Sequence, residues 1–475
     1  MCCANYFLKN RRRRDIIAVK VMRIWRRPLI HSLQPTVLCD IMMTMKTKHI
    51  VVIGGGAAGM MAAVSAALGG GRVLLLEKNS RLGTKVKITG GGRCNVTNTA
   101  DAAEMIQKTI CNPRFLYSAF YGLDSVALVE MLAGMGVETK TEDGGRVFPK
   151  SDKAADVVDA FARRLEQLQV DVRLNCAVAE IARDTAGFAV KIKGGETILA
   201  DAVIVATGGL CAPHTGSDGD GYAFAKGLGH SVTKLFPSLV PVNTAANTEL
   251  VGLGLDDVGL TARLNGAITY NGRGGLMFTH FGLSGPVILT ATAVLAEKLH
   301  MQPEFALDFA PNLAENELDK HLLSIFANNS AKSVANALST ENFLPQRLAV
   351  FLATAAGLGV KQNTGNVSKI QRGALCAAIK DYRVKISGAA GFGSSVITRG
   401  GVSVKGIDPA TMQSKLVPQL FFAGEVLDVD ALTGGYNLHI AFATGWLAGQ
   451  SATADKIDGK IDDKINAKAT EDKYG

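Results

Sequence analysis

Gly54-Gly55-Gly56-Ala57-Ala58-Gly59 lies between an apolar run at residues 48–53 and a run of small residues that reaches Leu68. A second apolar run, residues 72–77, follows and ends in Glu77. Short apolar runs bounded by glycine read as buried strands, and the small-residue run between them as a helix. The unit is βαβ, and Gly54, Gly56 and Gly59 give it the spacing G-x-G-x-x-G. The first glycine makes the turn, the second lets backbone approach a pyrophosphate, and the third lets helix and strand pack closely. The N–H groups at the helix start, at Ala57 and Ala58, then face the phosphates. Glu77 follows Gly59 by 18 residues, where a carboxylate accepts ribose hydroxyls. These residues predict a dinucleotide site.

Two further segments favour a flavin over a plain nicotinamide cofactor. Arg81-Leu-Gly-Thr-Lys85 and Thr89-Gly-Gly-Gly-Arg-Cys-Asn95 form a second glycine-rich loop soon after Glu77. A simple NAD domain has no use for it, whereas an isoalloxazine lying against backbone does. At the far end, Ala423-Gly424-Glu425 precedes Gly434-Gly435-Tyr436-Asn437, which opens a helix. Glu425 can hold the ribityl hydroxyls, and the helix start can stabilise the charge that a reduced flavin develops. No second G-x-G-x-x-G occurs after Gly59, so no separate nicotinamide domain is expected. NAD(P)H is expected as a transient reductant at the flavin face.

Along the chain, helices are predicted over residues 126–135 and 154–168. Strands are predicted over 172–181, 188–192 and 197–199, and an apolar strand from Ala202 runs into the turn at Gly208-Gly209. From about Pro237 short β-like runs (239–242, 267–270, 276–279) lie among glycines, and helical pattern fills 313–358. Strand pattern returns at Val396, with a buried strand over 420–425 and a closing helix over 437–452. The predicted fold class is α/β. A split Rossmann-like FAD-binding domain (46–236 and 395–455) would carry an inserted β-barrel-like and helical substrate domain (237–394). A basic leader (1–45) and a charged tail (456–475) flank it.

The net charge of +9 resides in the leader. Residues 1–48 hold eleven Lys or Arg against Asp15 and Asp40, and the remaining 427 residues carry 40 basic and 40 acidic side chains. Affinity for nucleic acid or membrane therefore cannot be argued from total charge for the folded body. The leader reads as a dispensable extension, with a basic targeting peptide as the rival reading. Residues 50–71 carry no charge and imitate a membrane anchor, but Gly54-Gly55-Gly56 would break a spanning helix. None of the eight cysteines forms C-x-x-C or a zinc-like cluster, so no metal site is expected. Reduced thiols in a cytoplasm are the simplest account.

Several long stretches carry a resemblance: GGGAAGM at 54–60, LEKN at 76–79, TGGGRCNVTN at 89–98, GRVFPKSDKA at 145–154, ATGG at 206–209, GSDGDGYAFAKGLGH at 216–230, FTHFGLSGP at 278–286 and the run 411–449. Over residues 46–452 the chain resembles the BaiN/YhiN-like family of NAD(P)/FAD-dependent flavoproteins, also labelled aminoacetone-oxidase-like. The resemblance implies a split FAD domain interrupted by a β-rich and helical insert. It also implies flavin-dependent reduction of activated C=C bonds, in steroid-like enones or in uracil of ribosomal RNA. The residues assigned to FAD are Gly54, Gly56, Ala57, Ala58, Gly59, Glu77, Lys78, Lys85, Gly91, Gly92, Arg93, Cys94, Asn95, Val178, Ala206, Thr207, Gly208, Gly424, Glu425, Gly435, Tyr436, Asn437 and Leu438.

The catalytic candidates are His280, Arg93, Cys94 and Tyr436. His280 is the histidine best placed for general acid work, against a structural role. Arg93 could offer a cation to pyrophosphate or substrate, or sit in a salt bridge. Cys94 is read as packing rather than nucleophile or acid, since it lacks a partner cysteine. Tyr436 could meet the ring system or shape the turn. His214, His230 and His439 are weaker candidates, and Asp218 and Asp220 are read as loop caps rather than calcium ligands. The leading expectation is an FAD-dependent reductase passing hydride from reduced flavin to an activated C=C bond. Its rivals are an oxidase of small amines or ketones and a flavoprotein that modifies or binds ribosomal RNA, forming dihydrouridine.

Overall fold

The computed structural model describes residues 47–245, 248–340 and 343–454. The expectations for residues 1–45 and 456–475 lie outside these. A five-stranded parallel sheet forms the base, built from β1 (His49–Ile53), β2 (Arg72–Leu76), β3 (Asp171–Arg173), β4 (Ala202–Val205) and β5 (Leu420–Phe422). Their order is β5-β4-β1-β2-β3. Residues 50–53 are all buried, which is why the sequence shows a continuous apolar run there instead of polar alternation.

Helix α1 (Ala57–Leu68) is buried from Ala57 to Ala67. Its small side chains admit the C-terminal helix α2 (Tyr436–Thr453) at backbone distance. A Cβ at Gly445 would lie 2.3 Å from Ala58 O, and one at Gly449 would lie 2.3 Å from Ala62 O. Residues 50–71, which imitate a membrane anchor, thus resolve into β1, a turn and α1. Among the described residues no single helix is long and apolar enough to cross a membrane.

The predicted strand over 172–181 is two strands. Its first part is β3, at the edge of the parallel sheet. Asn175 then takes a left-handed φ of 54°, and Val178–Arg183 joins an antiparallel sheet with Phe188–Ile192 and Thr197–Ala200. Asn175 N donates to Asn79 O and Cys176 N to Glu77 O (both 2.9 Å), so the break binds the loop after β2. A continuous hydrophobic pattern did not reveal this change of partner.

Six strands between Val242 and Ala389 close into a barrel. The short runs read at 267–270 and 276–279 are the two ends of one strand, Ala267–Thr279, paired with Gly254–Leu264. Asn265 and Gly266 turn this hairpin with φ of 51° and 80°. Asn-Gly is the two-residue turn that matches strand twist, so the hairpin was signalled in the sequence and missed. The helical pattern over 313–358 divides into Glu315–Asn328, Val334–Leu338 and Gln346–Ala355, and Lys369–Lys380 follows. Leu318, Leu322, Leu348, Leu352 and Ile379 share one core with barrel residues Leu260, Phe278, Phe305 and Ile386. That core is separate from the one beneath the parallel sheet.

Phe236–Ser238 and Ile397–Arg399, the strands on either side of the barrel and its helices, pair antiparallel. A buried ion pair fixes this junction. Arg399 donates to both oxygens of Asp430, at 2.7 and 2.9 Å, and to Ala293 O at 2.9 Å. Ser238 Oγ donates to Asp430 at 3.1 Å. Asp430 is wholly buried and Arg399 nearly so, so neither charge has water as an alternative partner. Asp430→Asn therefore leaves the buried guanidinium with only Glu297, at 3.6 Å, as a charged partner and should cost about 3–5 kcal/mol, read as a lowered urea midpoint. A midpoint within error of the parent would mean that the pair does not anchor the junction.

Candidate cofactor and active site

The carboxyl ends of β1, β2, β4 and β5 open onto a cavity of ≈ 920 Å³. Open parallel sheets bind ligands at this edge. Gly54 sits there with φ of +104°, and a Cβ would lie 2.5 Å from Ala206 O. Gly56, Ala57 and Ala58 line the cavity, and Gly59 lies behind it, where a Cβ would meet Gly54 O at 1.8 Å. The fingerprint is therefore a tight turn with one packing glycine, in the order read from the sequence.

Glu77 is buried at one end of the cavity. It accepts from Gly55 N at 2.6 Å and Asn79 N at 2.8 Å, which leaves acceptor capacity for ribose hydroxyls. Lys78 and Val178 lie beside it on the wall. Lys78 contacts Asp218 and pairs with Asp220 at 2.7 Å. Burial opposes its charge, but these two carboxylates more than offset that and hold its pKa above the usual lysine value. The loop of Asp218 and Asp220 is thus held by a lysine, and among the described residues no acidic or histidine cluster suits a metal.

Ala206, Thr207 and Gly208 form the middle of the wall, with Lys85 and Glu425 bridging across it at 2.6 Å. Glu425 also accepts from Thr398 N at 2.9 Å, which links the cavity to the junction strand 397–399. Gly435, Tyr436, Asn437 and Leu438 line the far end, where α2 begins. Gly435 has φ of +98°, and a Cβ would lie 2.2 Å from Thr97 O. No side chain caps this helix start, so its N–H groups remain available to a ligand.

Two observations make this cavity suit an FAD. Asn95 Oδ1 and Thr207 Oγ1 are buried on its wall without a hydrogen-bond partner, and buried polar atoms are seldom left so. The cavity also joins the Gly54–Gly56 turn to the start of α2, a reach that suits one elongated ligand.

Other candidates are placed elsewhere. Gly91 is exposed, and Gly92 does not reach the wall. Gly424 packs against α1, where a Cβ would lie 2.7 Å from Ala58 Cβ. Cys94 is fully buried off the wall, and burial pushes its thiol up to about 12. That environment suits packing and disfavours a thiolate. His280 is exposed at a barrel turn, its ring edge-on to Phe281 at 4.8 Å, and the structure does not bring it to the cavity. Arg93 does line the wall, yet its charge is matched by Glu142 and by Asp152 at 2.6 Å, and it lies 4.2 Å over the Phe148 ring. Its pKa is raised by Glu142 first and then by Asp152.

The sequence reading missed Phe148 and Arg146, which alternate along one strand of the quoted stretch 145–154. It also missed an apolar wall made by Leu239, Pro286, Leu289, Val396, Ile397 and Leu432. These six come from chain segments far apart, so no local pattern joined them.

His439, rated weakly from sequence, has a structural role beneath the site. Leu123 O at 3.0 Å can only accept, so Nε2 carries the proton and Nδ1 accepts from Thr97 Oγ1 at 2.8 Å. Burial pushes its pKa down to about 4. The unfolded chain then binds more protons below about pH 6.5, and stability falls as pH drops from about 6.5 to 4, by about 3 kcal/mol in all. Denaturation at stepped pH should show this slope in the parent and lose it in His439→Phe. Gly435→Val, which must displace Thr97 O, should yield protein with little bound flavin. A soluble variant with full flavin content and unchanged affinity would refute that reading of the turn.

The family model of the HI0933-like protein Rossmann domain matches residues 48–451. The chain is 32% identical to the ribosomal RNA dihydrouridine synthase of Escherichia coli (strain K12), over 81% of this chain and 93% of that protein. It is 30% identical to the 3-dehydro-bile acid delta(4,6)-reductase of Clostridium scindens, over 80% of this chain and 92% of that protein. Among solved structures, 3-ketosteroid-delta4-(5alpha)-dehydrogenase from Rhodococcus jostii RHA1 aligns at 17% identity and a TM-score of 0.46, over 88% of this chain and 99% of that one. The chain belongs to the HI0933-like Rossmann family and is an FAD-dependent oxidoreductase.

Proposed function

We propose that this enzyme reduces a C=C bond conjugated to a carbonyl in a flat, mainly apolar small molecule, with NAD(P)H as the source of reducing equivalents. One observation carries the reading. The cavity is lined by Leu239, Pro286, Leu289, Val396, Ile397 and Leu432 as well as by the segment that begins α2, and Leu239, Ile397, Leu289 and Leu432 pack in one apolar cluster. An apolar wall of this kind excludes water from the reacting bond and favours a planar hydrocarbon body.

Bound FAD, once reduced, supplies a hydride. The chain's own residues hold and orient. Glu77 would take the ribose hydroxyls, the turn at Gly54–Gly56 the pyrophosphate, and Glu425 with Lys85 the ribityl chain. The uncapped start of α2 and Asn95 Oδ1 would offer polar groups to the ring system. Tyr436 supplies the proton to the α-carbon. A phenol keeps its proton at neutral pH, and burial holds the pKa of this one above the usual value.

The name of the E. coli relative supports a second reading, in which the C=C bond is that of uracil in ribosomal RNA. The chemistry is the same, since that bond is also conjugated to a carbonyl. The neutral balance of residues 49–475 favours the small molecule, because RNA affinity rests on many cations meeting phosphates.

Anaerobic reduction of the holoenzyme by NADH and NADPH, followed by mixing with a cyclic enone, a uracil-containing RNA or oxygen, separates these readings. Fastest reoxidation by the enone is expected. Fastest reoxidation by RNA would transfer the function to the second reading, and fastest by oxygen would make the protein an oxidase. Tyr436→Phe should keep its flavin and lower the limiting rate with enone by about 10²–10⁴. A parental rate in that variant would move the proton donor to water.

A further inference from the structure

We propose that Asn98 is a positioning residue for the flavin: it ties the turn that opens α2 to the turn at residues 143–145, and so fixes where the Tyr436 ring lies in the cavity. Asn98 is buried, and its side chain reaches three chain segments. Nδ2 donates to Gly144 O at 2.9 Å and to Gly434 O at 3.0 Å, while Oδ1 accepts from Ala100 N at 3.0 Å. Carbonyls can only accept and a backbone N–H can only donate, so these three partners leave the amide one orientation. The bond to Ala100 N closes a local turn. The other two join residues 46 and 336 positions apart, so only the tertiary structure makes them.

Asn98, Gly144, Gly434 and Tyr436 all line the cavity. Both turns are shaped around the asparagine. Gly144 and Gly434 take φ of 72° and 126°, and a Cβ at Gly145 would lie 2.7 Å from Asn98 Oδ1. Gly434 in turn carries Tyr436. A Cβ at Gly434 would lie 2.8 Å from Tyr436 Cε2, so the phenol ring folds back on the glycine whose carbonyl Asn98 holds. Asn437 also grips this turn, accepting from Ala431 N at 2.8 Å and donating to Ala431 O at 2.7 Å. Those bonds close the turn on its own segment, whereas Asn98 fastens it to the turn at 143–145. Releasing Gly434 O therefore frees the ring packed on that glycine and loosens the start of α2. A loosened helix start aims its N–H groups less well at the charge that a reduced flavin develops.

Two variants keep the local turn and cut the two long-range bonds. In Asn98→Ser the hydroxyl can still accept from Ala100 N, and in Asn98→Asp a carboxylate does so while turning an acceptor on two carbonyls. Leu318→Ala, in the core shared by the barrel and its helices, controls for loss of stability with this contact intact. For each holoprotein the thermal midpoint and the flavin reduction potential are measured, and FAD is titrated into the apoprotein. Asn98→Ser should bind FAD about tenfold more weakly than the parent and show a lower potential, with Asn98→Asp displaced further in both. Leu318→Ala should lower the thermal midpoint and keep parental affinity and potential. An affinity unchanged in Asn98→Ser, or a potential unchanged or raised, would overturn the proposal. So would equal shifts in Leu318→Ala, which would leave Asn98 a contributor to stability alone. Should Asn98→Asp fail to fold, Asn98→Ser decides by itself. None of these measurements uses a substrate, so their outcome is separate from that of the C=C reading above.

Discussion

The structure depends on two helices touching at backbone distance. Gly445 and Gly449 of α2 rest on the carbonyls of Ala58 and Ala62 in α1, each leaving no room for a Cβ. This contact seats the C-terminal helix on the fingerprint helix, and its consequence is the site itself. The start of α2 then reaches Thr97 O, where Gly435 is required by both its φ and the closeness of that carbonyl. His439, one turn on, locks Thr97 from below as a neutral ring. A flavin cavity made of both ends of the chain is the product of small residues placed for packing.

The barrel and its helices have their own core, so their position over the cavity must be held by something other than that core. The Arg399–Asp430 pair does this at the joining strands, and Thr398 N reaches from the same strand to Glu425 on the cavity wall. Placement of the apolar lining residues and of the Glu425 carboxylate are thus linked through one short strand. Buried charge is costly unless matched, and here it is matched by partners from four chain segments. Both oxygens of Asp430 are satisfied in this arrangement, by Arg399 and Ser238.

The dinucleotide unit was legible because its constraints are local. Gly54, Gly59 and Glu77 act through neighbours in one βαβ unit, and each sits where its spacing put it. Gly435 and Glu425 were legible for a related reason, since a glycine turn before a helix announces a helix start whatever lies opposite. Cys94 and His280 were less readable. Chemistry marks both as reactive, but only burial shows that Cys94 is a packed thiol, and only the barrel's path takes His280 to the surface. Arg93 is the intermediate case. Its position on the wall was foreseen, but the carboxylates that neutralise it lie some 50 to 60 residues away.

By itself the sequence determined the strand–turn–helix with its dinucleotide-type glycine spacing, the glycine turn that opens the last helix, and the location of the charge excess in residues 1–48. These follow from φ preferences, apolar periodicity and counting, which need no knowledge of partners. Tertiary structure alone decided which carboxylates neutralise the cavity's cations and which apolar side chains line it. It also decided that the run 172–181 serves two sheets. Each of these is a relation between segments distant in the chain, fixed by close packing and by the matching of buried charge, and no local pattern carries it.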